Sequence, residues 1–173
     1  MCYRLHVATP LTLSEVRSML PAGVSADAAP YGEQLLLREH LPGALTIVEL
    51  RRGSCGCDFV IQRDPAGRTD ETHLRDRGLR AGIPRAQLGA MLLAHRQPMK
   101  RAQPLATWQE ALAGFVAEHA RNAGPSLYHR TFTPGPRARA ADDAEPVPVT
   151  VSQVREAPGD WLVEGRLTLV VRD

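Results

Sequence analysis

The spacing of apolar residues along this chain changes twice, and that change constrains its fold more than any other feature. The segment CYRLHVA, residues 2–8, alternates apolar and polar side chains, which predicts a half-buried strand. Residues 44–51 and 57–63 are rich in β-forming residues and predict a hairpin, with the segment GSCGCDFV in its loop or in the first residues after the loop. Between about residues 70 and 124 the spacing becomes helical, after which strand composition returns at 126–132, 147–154 and 161–171. Alternation is typical of strands, and a spacing of three to four residues is typical of helices. This order predicts an α+β fold with one mostly antiparallel sheet.

Capping residues and turn residues predict about four helices packed against that sheet. Thr12 and Glu15 have the spacing of a capping box, which indicates a short first helix. Three further helices are predicted within residues 70–124. The last of them is predicted to open on a second capping box, at Thr107 and Glu110.

The length and composition of the chain predict one globular domain. Its 173 residues match the usual size of a domain, and its 43% hydrophobic and 23% charged residues argue against wholesale disorder. We therefore expect a single domain over residues 1–173, with a flexible loop at about 133–147, where Pro and Ala are frequent. Residues 24–43 fit either a strand or a helix, and Pro148 predicts that its strand lies at the edge of the sheet or that the residue lies at the strand's start. No apolar run approaches the roughly 20 residues of a membrane span, and the N-terminus lacks the apolar stretch of a secretory signal, so a cytoplasmic location is expected.

Two of the three cysteines flank one glycine in the segment GSCGCDFV. An odd, small number of cysteines in a chain of this length argues against a disulfide scaffold. Thiolates bind soft metals, so Cys2, Cys55 and Cys57 predict a site for Zn or Cu(I). A fourth ligand would be Asp58, water, or a histidine such as His73.

The same cysteines allow three other interpretations. In an extended strand the Cα atoms of Cys55 and Cys57 lie about 6.6 Å apart, near the upper limit for a disulfide. A disulfide between Cys55 and Cys57 would therefore need Gly56 to bend the chain. Thiol/disulfide redox chemistry could instead use a disulfide between Cys2 and either Cys55 or Cys57. Cys2 would also be a catalytic nucleophile if removal of the initiator methionine supplied an α-amino base. Finally, Cys57 would be a small apolar core residue on the Phe59 face of a strand, pointing away from Cys2.

The opening of the chain and its Cys-Gly-Cys motif together carry a resemblance. The residues are Met1, Cys2, Leu5, Val7, Ala8, Cys55, Gly56, Cys57 and Phe59. They look like a group of uncharacterised bacterial proteins that begin Met-Cys and later carry Cys-Gly-Cys after a strand. Asp58 departs from the glycine expected there. The resemblance implies only that the three cysteines form one feature.

An arginine-rich segment indicates an alternative function. Residues 74–103 contain seven Arg or Lys residues and one acid, Asp76. The glycine and apolar spacing over 71–96 is similar to a helix-turn-helix, which predicts a nucleic-acid-binding or protein-interaction module. The predicted nucleic-acid contacts are Arg75, Arg77, Arg80, Arg85 and Gln87. The competing interpretation is an ordinary helical hairpin whose leucines line a core and whose arginines face solvent. Three histidines are predicted to be surface or hydrogen-bonded polar residues, namely His95, His119 and His129.

Overall fold

One mixed sheet organises the protein. A computed structural model describes residues 2–53, 56–60, 71–95, 105–133 and 145–173. In these residues the strands are β1 (Cys2–Thr9), β2 (Val24–Ala28), β3 (Thr46–Arg52), β4 (Ser126–Thr133), β5 (Val147–Thr150) and β6 (Leu167–Val171). The helices are α1 (Leu13–Ser18), α2 (Tyr31–His40), α3 (Glu71–Arg80), α4 (Arg85–His95), α5 (Leu105–Ala123) and α6 (Val151–Glu156), with a short 3-10 helix at Cys57–Phe59. The α+β fold is confirmed, and the described residues contain six α-helices where about four were predicted.

The sheet has the order β2-β3-β1-β4-β6-β5. Every neighbouring pair is antiparallel except β5 and β6, which are parallel. The mostly antiparallel sheet is therefore confirmed, with β1 at its centre. Pro148 lies in the edge strand β5, as expected for a residue that has no N–H to donate to a second neighbour.

Both faces of β1 are covered. Leu5 and Val7 belong to the core cluster that α5 completes, whereas Ala8 packs in a second cluster with Leu37 of α2. His6, between the two apolar residues, is also fully buried. The expectation of a half-buried strand is therefore wrong, because α2 covers the face that alternation assigned to solvent.

One predicted capping box is confirmed and the other is wrong. The Thr12 side chain accepts from the Glu15 N–H, and the Glu15 carboxylate accepts from the Thr12 N–H at 2.8 Å. Thr107 and Glu110 instead lie inside α5, which already begins at Leu105. A threonine and a glutamate three residues apart also occur inside helices, so that spacing alone does not locate a helix start.

Two predicted strands are partly replaced by helices. The described start of the segment 57–63 forms the 3-10 helix, and β3 pairs with β1 and β2 rather than with that segment. The predicted hairpin is therefore wrong, and residues 61–63 lie outside the described part. The segment 151–154 belongs to α6, because Thr150 and Gln153 form a capping box that ends β5.

The structure gives the secondary structure of residues 24–43 and of the two ends of the loop expected at about 133–147. Residues 24–43 contain both β2 and α2. The loop expected at about 133–147 begins at the last residue of β4 and reaches the first of β5, and residues 134–144 lie outside the described part. Among the described helices, none is both long and apolar enough to span a membrane.

Candidate metal centre

Two histidines lie side by side on the α2 face of the sheet. His6 in β1 and His129 in β4 are partners in the strand register, and their ring centroids are 6.5 Å apart. Both side chains are fully buried. Alternation directs Leu5 and Val7 toward α5 and the histidine between them toward α2. The centre of the sheet therefore presents two neighbouring imidazoles to α2.

The first turn of α2 brings a carboxylate to both imidazoles. The side-chain amide of Gln34 donates to the carbonyl of Ala29 at 2.6 Å and so ties the start of the helix to the end of β2. Glu33 Oε2 lies 3.2 Å from His129 Nδ1 and 3.4 Å from His6 Nδ1. The Glu33 side chain is 19% exposed, so it lies between the buried imidazoles and solvent.

These three groups lie close enough together that they could hold one small cation. One nitrogen or oxygen atom from each of His6, Glu33 and His129 lies within 4.8 Å of the others. For metal–ligand bonds of about 2.0 to 2.1 Å, tetrahedral ligand atoms are about 3.3 to 3.4 Å apart. The two distances from Glu33 Oε2, 3.2 and 3.4 Å, are close to that separation. An octahedral site with the same bond lengths would bring adjacent ligands to about 3.0 Å.

The protonation states suit cation binding. Burial lowers the pKa of His6 to about 4, although the neighbouring Glu33 acts in the opposite direction. Burial by itself raises the pKa of Glu33, but the hydrogen bond with His129 and the charges of His6, His129 and Arg4 bring it below its ordinary value. At neutral pH the Glu33 carboxylate is therefore ionised and His6 is neutral with a lone pair available.

A second carboxylate, that of Glu49, lies near the other ring nitrogen of His6. Glu49, in β3, is the register partner of His6 and is 6% exposed, and its Oε2 lies 4.0 Å from His6 Nε2. Arg4 holds that same oxygen through a 2.9 Å hydrogen bond from its guanidinium. At 4.0 Å, Glu49 Oε2 and His6 Nε2 do not form a hydrogen bond, so Glu49 contributes a negative charge beside His6, and Arg4 holds that charge in place.

Several buried nitrogens in this group lack a hydrogen-bond partner. Within the described part of the chain, this holds for Nδ1 and Nε2 of His6 and for Nε2 of His129. A buried polar atom left unpaired costs about 1 to 3 kcal/mol. Because His6 Nδ1 faces Glu33 Oε2 without hydrogen-bond geometry, a cation between the two would satisfy both atoms.

The predicted thiol site is only partly described. Cys57 is 1% exposed and packs beside Tyr3, whose N–H donates to Cys57 Sγ at 3.4 Å. The Gly56 N–H donates to the Tyr3 carbonyl at 2.9 Å. The start of β1 and the second half of the Cys-Gly-Cys motif are thus hydrogen-bonded together, on the sheet face opposite His6. The Cys2 side chain and all of Cys55 lie outside the described part, as do the side chains of two predicted fourth ligands, Asp58 and His73.

The arginine-rich segment forms two helices joined by a glycine turn. α3 and α4 are separated by four residues in which Gly82 has a φ of +78°. Leu74, Ile83 and Leu88 are buried in one cluster, as expected for a helical hairpin. Four of the predicted nucleic-acid contacts are exposed: Arg75, Arg80, Arg85 and Gln87. The fifth, Arg77, is partly buried and paired with Glu164, so the nucleic-acid alternative stays a prediction.

The sequence did not predict that these three residues lie together. His129 was interpreted as a surface or hydrogen-bonded polar residue, Glu33 fell in a segment left open, and His6 was predicted only as part of the first strand. A signal does exist, because each histidine interrupts an otherwise apolar strand segment. Pairing them needs the register of two strands from opposite ends of the chain, which no local pattern contains.

No protein-family model, curated protein or solved structure matches this chain. The resemblance to bacterial Met-Cys proteins therefore remains a prediction from the motifs.

Proposed function

We propose that this protein binds a divalent transition metal, zinc first, through His6, His129 and Glu33. The observation that carries the proposal is the position of His6 Nδ1. This atom is buried, has no hydrogen-bond partner among the described residues, and lies 3.4 Å from a carboxylate oxygen that also contacts a second buried imidazole. Two imidazoles and one carboxylate form a donor set that zinc accepts.

The charges around the group favour a cation. Glu33 and Glu49 contribute two negative charges, and Arg4 compensates one of them through its bond to Glu49. A divalent ion placed beside Glu33 would therefore meet a net negative environment, in a region where burial limits screening by water. The neutral state of His6 adds no repulsion.

The ligand count indicates the kind of metal site. Three protein ligands leave a fourth tetrahedral position for water, which is the pattern of catalytic zinc sites rather than of closed structural ones. The partly exposed Glu33 marks the side from which water would reach that position. The same donor set suits Fe(II) in an octahedral site, but the two separations from Glu33 Oε2, 3.2 and 3.4 Å, are closer to the value for a tetrahedral ion.

Calorimetric titration of the metal-free protein with zinc tests the proposal. We expect one equivalent to bind to the wild type and the affinity to fall at least 100-fold in Glu33→Gln. Glu39→Gln is the matched control, because Glu39 lies on the same helix and is exposed. Circular dichroism establishes that each variant is folded. Equal zinc affinity in wild type and Glu33→Gln would refute the proposal, and preferential retention of Fe(II) would reassign the metal.

A second candidate is the thiol site expected from the sequence. It is supported by the hydrogen bonds that join Gly56 and Cys57 to Tyr3, the residue next to Cys2. In this proposal Cys2, Cys55 and Cys57 bind Zn or Cu(I), or cycle between thiol and disulfide in a reducing compartment such as the cytoplasm.

Metal analysis and thiol counting on native protein separate the two candidates. Zinc that is retained in Glu33→Gln but lost in Cys57→Ser would assign the metal to the thiols. Three thiols that are metal-free and equally reduced under oxidising and reducing conditions would exclude both versions of the thiol site.

A further inference from the structure

Three arginines meet on the sheet face opposite the metal centre. Arg130 of β4 is the register partner of Leu5, and its guanidinium carbon lies 5.9 Å from the centre of the Tyr3 ring. Arg77 of α3 reaches the same region, with its guanidinium carbon 5.4 Å from the ring centre of Phe132. The Tyr3 and Phe132 rings are themselves 5.1 Å apart, so the two cations flank one aromatic pair.

The third arginine arrives from the segment before β6. The Gly165 N–H donates to the Arg130 carbonyl at 2.8 Å, which fixes that segment against β4. Arg166 follows directly, and one of its terminal nitrogens donates to the carbonyl of Trp161 at 2.9 Å. The next residue, Leu167, is the register partner of His129, so the backbones of Arg166 and Arg130 lie side by side.

The positive charge of this group is not balanced within the described part of the chain. Glu164 pairs with Arg77, and no other described carboxylate forms an ion pair with any of the three arginines. Three cations and one anion leave a net charge of about +2 in a partly buried region. Burial, and then the charges of Arg77 and Arg166, lower the pKa of Arg130, while Tyr3 acts in the opposite direction. Like charges held together without a counter-ion destabilise a fold.

The donors of these arginines are also incompletely used. The Nε atoms of Arg77, Arg130 and Arg166 are all buried, and each lacks a hydrogen-bond partner among the described residues. A guanidinium presents five donors in a planar fork that matches two oxygens of a phosphate or carboxylate. Unused donors and unbalanced charge thus occur at the same place.

We propose that Arg77, Arg130 and Arg166 bind a phosphate dianion, either as the free ion or as a phosphomonoester. A dianion would balance the net charge, whereas one carboxylate would leave half of it. Phosphate also offers enough oxygens to accept from three guanidinium groups, and a phosphomonoester, with a second pKa of about 6, is mostly dianionic at neutral pH. Because the sheet lies between this group and His6, the proposal does not depend on the metal centre.

Thermal unfolding and phosphorus NMR of the full chain test this site. Both are recorded at pH 7.5 with a chelator present, so that no metal binds the phosphate, and with sodium chloride at the same ionic strength as reference. At about ten times its Kd, phosphate should raise the Tm by roughly 3 to 6 °C for a chain of this size. Glycerol phosphate forms the second arm, and tighter binding than free phosphate would identify a phosphomonoester as the ligand.

Substitutions assign the response to the arginines. Arg130→Gln should lose most of the phosphate-induced rise in Tm, and Arg166→Gln provides the same test if the first variant does not fold. Arg155→Gln is the matched control, because Arg155 is exposed on α6, and it should retain the full response. A wild-type Tm that rises no more in phosphate than in chloride would overturn the proposal. An equal rise in wild type and Arg130→Gln would also overturn it.

Discussion

Protonation of His119 is expected to limit the stability of this protein in mild acid. His119 is fully buried in α5, with Nδ1 2.6 Å from the Tyr128 hydroxyl and Nε2 2.9 Å from the Thr9 hydroxyl. Its ring stacks on Phe115 with centroids 5.2 Å apart. No carboxylate shares these contacts, so the environment favours the neutral imidazole. Burial accordingly lowers the pKa of His119 from 6.5 to about 4.

The sign and size of the effect follow from that shift. Because the folded pKa lies below the unfolded one, the unfolded state takes up a proton first as the pH falls. The contribution to stability is complete above pH 6.5 and is lost progressively as the pH falls toward 4. At about 1.36 kcal/mol per pKa unit, roughly 2 kcal/mol is lost between pH 7 and pH 5, and about 3 kcal/mol by pH 4.

Urea unfolding at pH 7 and pH 5 measures this contribution. The difference in free energy of unfolding between wild type and His119→Gln should shrink by about 2 kcal/mol from the higher to the lower pH. Phe115→Leu is the control, since it disturbs the same stack without removing a titrating group, and its difference from wild type should stay constant. A difference between wild type and His119→Gln that is the same at both pH values would refute the reasoning.

Three further predictions concern the turn, the metal centre and the arginine-rich helices. Gly56→Ala should lower the free energy of unfolding, measured in urea, by about 1 to 3 kcal/mol, because the added Cβ would lie 3.1 Å from the Tyr3 carbonyl oxygen. The control Gly32→Ala should show no such loss, because a Cβ there would have no atom within 4 Å. Glu49→Gln should weaken zinc binding in calorimetry about 10- to 100-fold, because the substitution removes a negative charge 4.0 Å from His6, and unchanged affinity would exclude a role for that charge. If the arginine-rich helices bind duplex nucleic acid, Arg85→Gln should reduce the steepness of the plot of log binding constant against log salt concentration by about 1. Absence of binding by the wild type at low salt would refute this alternative function.

Features that depend on neighbouring residues were predictable from the sequence. The alternation of β1, the capping box at Thr12 and the glycine turn between α3 and α4 each involve contacts within a few positions of the chain. Such patterns specify an element and the faces of its side chains. They also led to the α+β fold and to the edge position of Pro148.

Features that depend on which distant segment packs against a helix or strand were not predictable from the sequence. The Cys-Gly-Cys motif was predicted to lie in a hairpin loop or in the first residues after it. Gly56 instead lies against the backbone of β1, where a side chain would crowd the Tyr3 carbonyl, and the chain continues there into a 3-10 helix.

The cluster of His6, Glu33 and His129 shows the division most clearly. The sequence by itself determined that His6 lies on the face of β1 opposite Leu5, because side chains alternate along any strand. Only the tertiary structure decided that this face is buried by α2, that β4 places His129 beside His6, and that Glu33 lies between them. The physical reason is that strand register and helix docking minimise the exposed apolar area of the whole fold, a quantity to which residues far apart in the chain contribute together.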